Sequence, residues 1–407
     1  MAASIQRLLT HQHVLLLQGK MGTFFHRFAS FLMKCGVKVS KVNFNAGDAF
    51  FYWHKPAFSY HGTLDDFAPW LTQLIETQNI DAVVCFGDCR PHHRQAVGVC
   101  EQMGISFFVF EEGYLRPDYV TLQEHGINGY SRLDMANIQA LKQANDHPQY
   151  TYNRFYRLSI AATVYYIISR MFQYRYPHYQ HYRGMTAWQE AAAWLKAPWR
   201  KAVGYLPDKL LQKKLVRQYS QQYFLVSLQV HNDSQITHHS PYHDVIEFID
   251  EVIASFAQHA QNHHLLVFKH HPLDRGHRDY RQVITQLAHN YGIGGRVMYG
   301  CDMHLPTLIK YSLGMVTINS TTGLQSIYHR KPTKIMGNAI YNIEKLVDSK
   351  PLNQFWQNPK YPDHNFYGKF REFLIEQTQL NGSFYGKSPW MRKYLVRQRS
   401  KTQFNTD

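Results

Sequence analysis

Uninterrupted apolar runs alternate with amphipathic segments along two separate stretches of the chain. Such runs, closed by glycine or polar residues, are typical of strands that are buried on both faces of a parallel sheet. In the first stretch the predicted strands cover residues 13–19, 37–44, 82–87 and 106–110. In the second stretch they cover residues 223–226, 264–268, 297–299 and 313–318. The segments between them carry apolar residues at helical spacing, so the pattern predicts two Rossmann-like α/β domains.

The alternation stops between these two stretches. Residues 134–222 have a helical pattern that is dense in tyrosine, tryptophan, arginine and lysine. We therefore predict four parts: an N-terminal Rossmann-like domain (1–133), a helical insert (134–222), a C-terminal Rossmann-like domain (223–345) and a basic, aromatic tail (346–407). The tail is expected to pack back on the first domain or to face lipid.

The charge balance indicates an anionic partner. The 407 residues include 44 lysines and arginines against 29 aspartates and glutamates, which gives a surplus of 15. Nucleic acid, a nucleotide-linked substrate and an acidic membrane surface all fit such a surplus. We expect no nucleic-acid partner, because the chain carries no recognisable nucleic-acid-binding motif. The aromatic and basic insert favours a membrane-facing role, with packing between domains as the alternative.

Two further patterns bear on the cellular compartment. The five cysteines are scattered and form no CxxC pair, and the N-terminus lacks the apolar region of a signal peptide. No apolar run reaches the roughly 20 residues that cross a bilayer. These patterns favour a cytosolic protein that meets a membrane only at its surface.

Polar residues follow the predicted strands of the N-terminal domain, at the edge where open parallel sheets bind ligands. Gly19 allows a ligand to approach the backbone before a helix. Asp88 and Arg90 form either the edge of a site or a capped helix start. The sequence alone favours these two interpretations equally.

An acidic turn is predicted after the strand at 106–110. It consists of Glu111, Glu112 and Gly113, with Arg116 close behind. If one of the two acids is buried, its pKa is raised and it can shuttle a proton, while Arg116 can keep the other acid ionised. A surface turn with solvated acids is the alternative.

The C-terminal domain presents a loop after its first strand that carries Gln229, Asp233, Ser234 and Gln235. A carboxylate flanked by amides and a hydroxyl group is a candidate nucleophile or general base. Asp233 or Ser234 can equally be the N-cap of the next helix. The residue types do not separate these two interpretations.

Two more loops of this domain contain groups that suit a phosphate. Lys269, His270 and His271 lie at a strand end before Pro272, and the alternative for them is a surface histidine pair. Ser320, Thr321 and Thr322 precede a helix, where hydroxyl and backbone N–H groups can bind phosphate or simply cap the helix. A zinc site is not expected, because further ligands at suitable spacing are absent from the sequence.

The sequence predicts paired acids in one Rossmann-like domain, and Asp233 with a phosphate-binding loop in the other, with the two domains facing each other across a cleft. This is the arrangement of a GT-B nucleotide-sugar glycosyltransferase. The motifs also resemble the bacterial capsule polysaccharide export and biosynthesis proteins, over roughly residues 13–340. Within that family the chain is most similar to the single-module retaining β-Kdo transferases that start the capsule glycolipid linker. The resemblance is carried by the segments LQG (17–19), KVNFN (41–45), FGDCR (86–90), FEEGYLRP (110–117), LQVHNDSQI (228–236) and KHHP (269–272).

The resemblance implies that Kdo (3-deoxy-D-manno-octulosonic acid) is transferred from CMP-β-Kdo, with retention, to phosphatidylglycerol. It implies a peripheral location on the inner face of the cytoplasmic membrane and contact with a capsule biosynthesis and export complex. No metal or other cofactor is expected. Another GT-B nucleotide-sugar enzyme, such as an epimerase, and a non-catalytic export subunit are the two alternatives.

The resemblance also implies a role for each motif. Asp233 is the expected nucleophile, and the Glu111/Glu112 pair with Gly113 supplies the general acid/base, for which we favour Glu111. The expected donor-binding residues are His271 and Lys269 on the CMP phosphate, Ser320, Thr321 and Thr322 on the same nucleotide, and Gln229, Ser234 and Gln235 along the donor pocket. The expected substrate-binding residues of the N-terminal domain are Gly19, Asp88, Arg90 and Arg116.

Overall fold

A computed structural model describes residues 2–141, 148–152, 155–180 and 187–404. The chain divides into two compact units, of which the first comprises Met1–Gly184 with Arg371–Asp407 and the second comprises Met185–Phe370. Each unit is built on one β-sheet. The chain therefore returns to the first unit after completing the second.

The described residues contain the following strands and helices. The strands are β1 (His13–Leu16), β2 (Lys38–Asn43), β3 (Ala57–Ser59), β4 (Ala82–Phe86), β5 (Ser106–Glu112), β6 (Tyr119–Glu124), β7 (Tyr223–Ser227), β8 (Leu265–Lys269), β9 (Val297–Gly300), β10 (Gly314–Thr317), β11 (Thr333–Ile335) and β12 (Gln379–Asn381). The helices are α1 (Ala3–Leu8), α2 (Phe24–Lys34), α3 (Ala46–Phe50), α4 (Phe67–Gln78), α5 (Pro91–Met103), α6 (Phe155–Met171), α7 (Ala187–Gln218), α8 (Ser234–His239), α9 (Val245–His259), α10 (Arg281–Asn290), α11 (Leu305–Tyr311), α12 (Thr322–Tyr328), α13 (Leu352–Phe355), α14 (His364–Gln377) and α15 (Pro389–Phe404).

The sheet of the first unit has the strand order β12-β6-β5-β4-β1-β2-β3 among the described residues. The five strands from β5 to β3 are parallel, whereas β6 runs antiparallel to β5, and β12 antiparallel to β6. The order reverses between β1 and β4, which is the doubly wound arrangement. Ligands of such sheets bind outside the carboxyl ends of the strands that flank this reversal.

The sheet of the second unit has the order β11-β10-β7-β8-β9, and its described strands are all parallel. Its strand order reverses between β7 and β10. The predicted α/β class with two Rossmann-like layers is therefore confirmed. The loops after β7, β8 and β10 are those in which the candidate donor-binding residues were predicted.

Burial on both faces explains why the strands have continuous apolar sequences. In β1, Val14 and Leu16 pack in a core with Phe28 of α2. Leu15, on the opposite face, packs in a second core with Leu71 of α4. Both faces of β1 are buried, so an unbroken apolar run follows the buried His13 at the start of the strand.

The division into units differs from the predicted domain boundaries at 134 and 222. Helix α6 belongs to the first unit, where Tyr165 is buried, and α7 belongs to the second, where Leu215 joins the core beneath β7. The helical insert is thus shared between the units, because its apolar residues pack on two different sheets. The chain from Arg371 onwards belongs to the first unit, where Trp390 packs edge-on against Phe31 at 4.9 Å between ring centroids.

None of the helices in the described segments is both long enough and apolar enough to span a membrane.

Candidate functional site

The strand-order reversal of the first unit brings together the loops after β1 and β4. The Arg90 guanidinium donates to Gln18 Oε1 at 2.8 Å and to the Gly19 carbonyl at 3.4 Å. A side chain at position 19 would place its Cβ 2.7 Å from the Phe25 ring, so only glycine fits there. Gly19 and Arg90, both predicted from the sequence, therefore lie together at this edge of the sheet.

Asp88 has a structural environment in the loop after β4. Its side chain is only 1% exposed, and its carboxylate accepts hydrogen bonds from the Ile127 backbone N–H at 3.0 Å and from the Cys89 thiol at 3.4 Å. Burial raises the pKa of Asp88, although these hydrogen bonds oppose the shift. Asp88 thus ties two loops together and is not presented at the surface, in contrast to the substrate-binding role predicted for it.

The predicted acidic turn is in fact the end of a strand. β5 continues through both acids, so that Glu111 pairs with Thr121 and Glu112 with Val120 of β6. The turn begins only at Gly113, where a Cβ would lie 2.3 Å from the Tyr119 carbonyl oxygen. Successive residues of a strand point to opposite faces. The two acids consequently meet different surroundings.

Glu112 forms an ion pair that was not predicted. Lys20 Nζ lies 2.8 Å from Glu112 Oε1. Burial raises the pKa of Glu112, but the charge of Lys20 and then that of Arg116 outweigh it, so the net shift is downward. The Arg116 Nε–H also donates to the Gly113 carbonyl at 3.2 Å. Since Glu112 is held ionised mainly by Lys20, Glu111 is the better candidate for a carboxyl group that exchanges protons.

A buried polar network lies beside this site and was missed by the sequence analysis. The Gln18 amide donates to Asp48 at 3.1 Å, to the Tyr165 hydroxyl at 3.1 Å and to the Tyr179 hydroxyl at 3.0 Å. Tyr165 in turn donates to Asp48 at 3.1 Å, and Asn45 donates to Tyr165. Helix α6 therefore completes the polar edge of the first sheet.

In the second unit, Gln229 and Asn319 join the loops after β7 and β10. Gln229 Nε2 donates to Asn319 Oδ1 at 3.0 Å, and the Asn319 backbone N–H donates to Gln229 Oε1 at 3.2 Å. Gln229 Nε2 also lies 3.4 Å from Asp233 Oδ2. Gln229 is only 4% exposed, so in this structure it positions Asp233 and the neighbouring loop.

Asp233 directly precedes helix α8 and is partly exposed. This is the position of an N-cap residue, and it is also a strand-end loop at the reversal of the sheet. The structure is thus compatible with both interpretations made from the sequence. The side chains of Ser234 and Gln235, predicted for the donor pocket, lie outside the described residues.

The loop after β8 contains one buried cation and two different histidines. Lys269 is 6% exposed and donates to the His270 carbonyl at 2.8 Å, and burial lowers its pKa. His270 is 1% exposed, contacts the Tyr299 hydroxyl through Nδ1 at 2.9 Å, and has its pKa lowered to about 4 by burial. His271 is partly exposed, and its Nδ1 accepts from the Leu273 N–H at 3.2 Å. In a neutral His271 the proton is therefore on Nε2.

The three hydroxyl groups after β10 differ in their partners. Ser320 accepts from the Thr322 backbone N–H at 3.3 Å, and the Thr322 hydroxyl donates to Ser227 Oγ at 3.2 Å. Thr321 precedes α12 and makes no side-chain capping bond to it. Ser320 thus has the capping role, and Thr321 is the better candidate for contacting a ligand.

A histidine–aspartate pair in the same loop region was not predicted. His231 Nδ1 lies 2.6 Å from Asp274 Oδ1, and the His231 backbone N–H donates to Asp274 Oδ2 at 3.2 Å. Asp274 is fully buried. His231 is two residues from Asp233, so this pair fixes the backbone that carries the candidate nucleophile. No signal in the sequence linked the two residues, which are 43 positions apart.

Comparison with known proteins shows which family and which relatives are similar to this chain. The model of the family described as capsule polysaccharide biosynthesis protein matches residues 81–385. The capsule polysaccharide export protein KpsS of Escherichia coli is 39% identical over 382 residues, covering 93% of this chain and 98% of that protein. The capsule polysaccharide modification protein LipB of Neisseria meningitidis serogroup B is 37% identical over 395 residues, covering 94% of both chains.

One solved structure to which the chain is similar is described as Thermosulfurimonas dismutans KpsC, beta Kdo 2,4 transferase. It is 12% identical, covers 86% of this chain and 89% of that one, and has a TM-score of 0.41.

Proposed function

The chain belongs to the family of capsule polysaccharide biosynthesis proteins, and we propose that it is a retaining glycosyltransferase. The proposed reaction moves Kdo from CMP-β-Kdo to phosphatidylglycerol and so starts the poly-Kdo linker of a capsular polysaccharide. The observation that carries the proposal is the reversal of the second sheet. There a carboxylate, a histidine and hydroxyl groups follow neighbouring strands β7, β8 and β10, as a nucleotide-sugar site requires.

The first step of the proposed reaction uses Asp233. A carboxylate oxygen of Asp233 attacks the anomeric carbon of Kdo, the bond from that carbon to the phosphate oxygen breaks, and CMP leaves. His271, through its Nε2–H, and the hydroxyl group of Thr321 are proposed to contact the phosphate as its charge develops. Lys269, which is buried and donates to the His270 carbonyl, adds positive charge. These groups supply what the leaving phosphate needs without a metal ion.

The second step uses a carboxylate of the first unit. Glu111 takes the proton from the acceptor hydroxyl group, whose oxygen then attacks the anomeric carbon and displaces Asp233. Two inversions give net retention. Glu111 is assigned this role because the ion pair with Lys20 lowers the pKa of Glu112 and keeps it ionised.

Two exposed apolar surfaces support a membrane-bound acceptor. On α7, side chains at helical spacing are more than half exposed, namely Leu195, Trp199, Val203, Leu206 and Leu210. On α6 the same is true of Ile160, Ile167 and Met171, with Phe155 at the helix start. Apolar side chains beside lysine and arginine are the pattern of helices that lie in the headgroup region of anionic membranes. We propose that the inner face of the cytoplasmic membrane is the surface they meet, in the setting of a capsule biosynthesis and export complex.

The transfer reaction is tested with purified full-length protein, CMP-Kdo made in situ, and a fluorescent phosphatidylglycerol. We expect a product that is heavier than the lipid by the mass of one Kdo residue. The Asp233→Asn variant should not form this product. Binding of CMP but not UDP, measured by thermal stabilisation, tests the donor separately. Stabilisation by UDP would favour a different nucleotide-sugar enzyme, and unchanged capsule formation in cells that carry Asp233→Asn would favour a non-catalytic export subunit.

The membrane surface is tested by sedimentation with vesicles that contain phosphatidylglycerol. Trp199→Glu introduces a charge into the apolar stripe of α7 and should weaken vesicle binding by about tenfold or more. Tyr361→Glu is the matched control, because Tyr361 is equally exposed but lies outside the stripe. Equal binding by both variants and the unaltered protein would refute the assignment of α7 to the membrane.

A further inference from the structure

The first unit contains a pocket at the reversal of its sheet to which the reaction described above gives no role. It lies beneath the loop after β1 and the start of α3, and its lining includes Gly19, Lys20, Gly22, Lys41, Gly47 and Tyr52. Two of these are lysines, and three are glycines. The pocket therefore combines positive charge with close access to the backbone.

Lys41 is the most unusual residue of the pocket. It lies in β2, is only 2% exposed, and donates one hydrogen bond from Nζ to the Val42 carbonyl at 2.6 Å. Among the residues that the structure describes, no carboxylate forms an ion pair with it. An ammonium group has three donors and is costly to bury without an anion. A buried lysine that forms no ion pair with a carboxylate is suited to bind a negatively charged ligand.

Tyr52 provides an independent observation. It lines the same pocket and is 5% exposed, and its hydroxyl group is buried without a hydrogen-bond partner. Buried hydroxyl groups are normally paired, since leaving one unpaired is unfavourable. The hydroxyl of Tyr52 is thus available to donate to a ligand in the pocket.

The backbone adds further donors at the same place. Helix α2 has 11 residues, and Thr23 before it makes no side-chain capping bond. Gly22 has φ +115°, a conformation that is strained for other residues. Gly47 admits no side chain either, because a Cβ there would lie 2.6 Å from Ser169 Oγ. Gly22 and Gly47 thus line the pocket with backbone, and the pocket also contacts Phe25 in the first turn of α2, where the helix N-terminus favours an anion.

The remaining charged groups of the pocket are already paired. Asp48 accepts hydrogen bonds from Gln18, Tyr165 and the Phe44 backbone N–H, the last at 3.1 Å. Lys20 is paired with Glu112. The carboxylate of Asp48 is consequently engaged by neutral donors, and its charge partly offsets the effect of burial on the pKa of Lys41, although the two groups form no ion pair.

We propose that this pocket is a subsite for a phosphate ester, held by the ammonium group of Lys41, the hydroxyl of Tyr52 and the backbone at the start of α2. Donors that come from separate chain segments suit the tetrahedral oxygens of a phosphate better than a planar carboxylate, and lysine binds phosphate as a point charge. The phosphate of the nucleotide-sugar donor is assigned to the second unit. The subsite therefore takes the phosphodiester of the acceptor headgroup, an identification that rests on the proposed function.

The test is titration calorimetry of the full-length protein with glycerophosphoglycerol, which is the headgroup without acyl chains, and separately with inorganic phosphate. Lys41→Met should weaken headgroup binding by about tenfold or more, because it removes a charged hydrogen-bond donor. Lys38→Met is the matched control, since Lys38 lies in the same strand but is exposed. It should bind the headgroup as the unaltered protein does.

The Tyr52→Phe variant distinguishes an effect on headgroup binding from an effect on the stability of the fold. It should weaken headgroup binding several-fold, yet leave the melting temperature unchanged or raised, because the hydroxyl has no partner in the free protein. A lowered melting temperature with unchanged binding would overturn the role given to Tyr52. Equal headgroup binding by Lys41→Met and the unaltered protein, or an equal loss in Lys38→Met, would overturn the subsite.

The two ligands and a measurement of CMP binding keep this proposal distinct from the proposed function. Binding of inorganic phosphate without binding of the headgroup would overturn the acceptor assignment. If no Kdo transfer is detected but Lys41→Met still loses headgroup binding, the subsite stands and the transferase assignment fails. If transfer occurs with the same acceptor KM in Lys41→Met, the transferase stands and the subsite fails. CMP binding should be equal in all variants.

Discussion

Replacement of Lys41 by methionine should stabilise the protein, and by an amount that depends on pH. Burial lowers the pKa of Lys41 from its ordinary value of 10.5 to about 8. The folded-state pKa therefore lies below the unfolded-state value, so the unfolded chain binds the additional proton between about pH 8 and 10.5, and the free energy of unfolding rises with pH over that window. The penalty for charging the buried amine is about 3 kcal/mol near pH 7 and about 1.5 kcal/mol near pH 9.5.

Lys41→Met removes this penalty while keeping an unbranched apolar side chain of similar length. We expect the variant to exceed the unaltered protein in unfolding free energy by up to about 3 kcal/mol near pH 7, with the gap about halved near pH 9.5. Urea unfolding followed by circular dichroism at the two pH values measures both quantities. Lys38→Met, at the exposed first position of the same strand, should change stability by less than about 0.5 kcal/mol. A destabilised Lys41→Met, or a gap that does not vary with pH, would show that an internal partner stabilises the charged lysine and would refute this reasoning.

Three further variants test other parts of the structure. Lys20→Met should raise the pKa of Glu112, seen by NMR titration of its carboxyl carbon, because the largest opposing charge is lost; an unchanged pKa would contradict the ion pair. Trp390→Ala should cost about 3–5 kcal/mol of stability, since the ring packs on Phe31, and a near-neutral effect would show that the tail is dispensable. His270→Leu should reduce the loss of stability between about pH 6.5 and 4, because a folded-state pKa of about 4 makes the protein lose stability as pH falls through that window; parallel acid denaturation curves would contradict this.

Strands with continuously apolar sequences, such as β4, were predictable because such runs indicate burial on both faces. β6 was not predicted, although it determines the setting of both acids. Its residues alternate between Val120 and Leu122 in the apolar core and Thr121 and Gln123, which are also buried. This alternation is the pattern of a strand with one solvated face, whereas both faces of β6 are buried. The sequence analysis followed continuous apolar runs and so missed this strand. The acids were consequently interpreted as a turn, whereas they end β5.

Candidate site residues could be proposed from the sequence where they directly follow a strand. They could not be proposed where their position depends on contacts between residues that are far apart in the sequence. The positions of Asp233, His271 and Thr321 in strand-end loops were predictable, because such loops of an α/β sheet are the usual place for ligands, and their roles stay predictions. Tyr165 could not be, because it bonds Asn45 from 120 residues away in the sequence. The environment of Asp88 was equally hidden, since its partner Ile127 lies 39 residues away.

The central claim, that a covalent sugar intermediate forms on Asp233, is tested most directly by intact mass spectrometry. Glu111→Gln should slow the second step, because no base then activates the acceptor hydroxyl group. Incubation of this variant with CMP-Kdo should add the mass of one Kdo residue to the protein, and peptide mapping should place it on Asp233. The double variant Asp233→Asn, Glu111→Gln should show no adduct. An adduct on another residue, or transfer to lipid by the Asp233→Asn variant, would contradict the account.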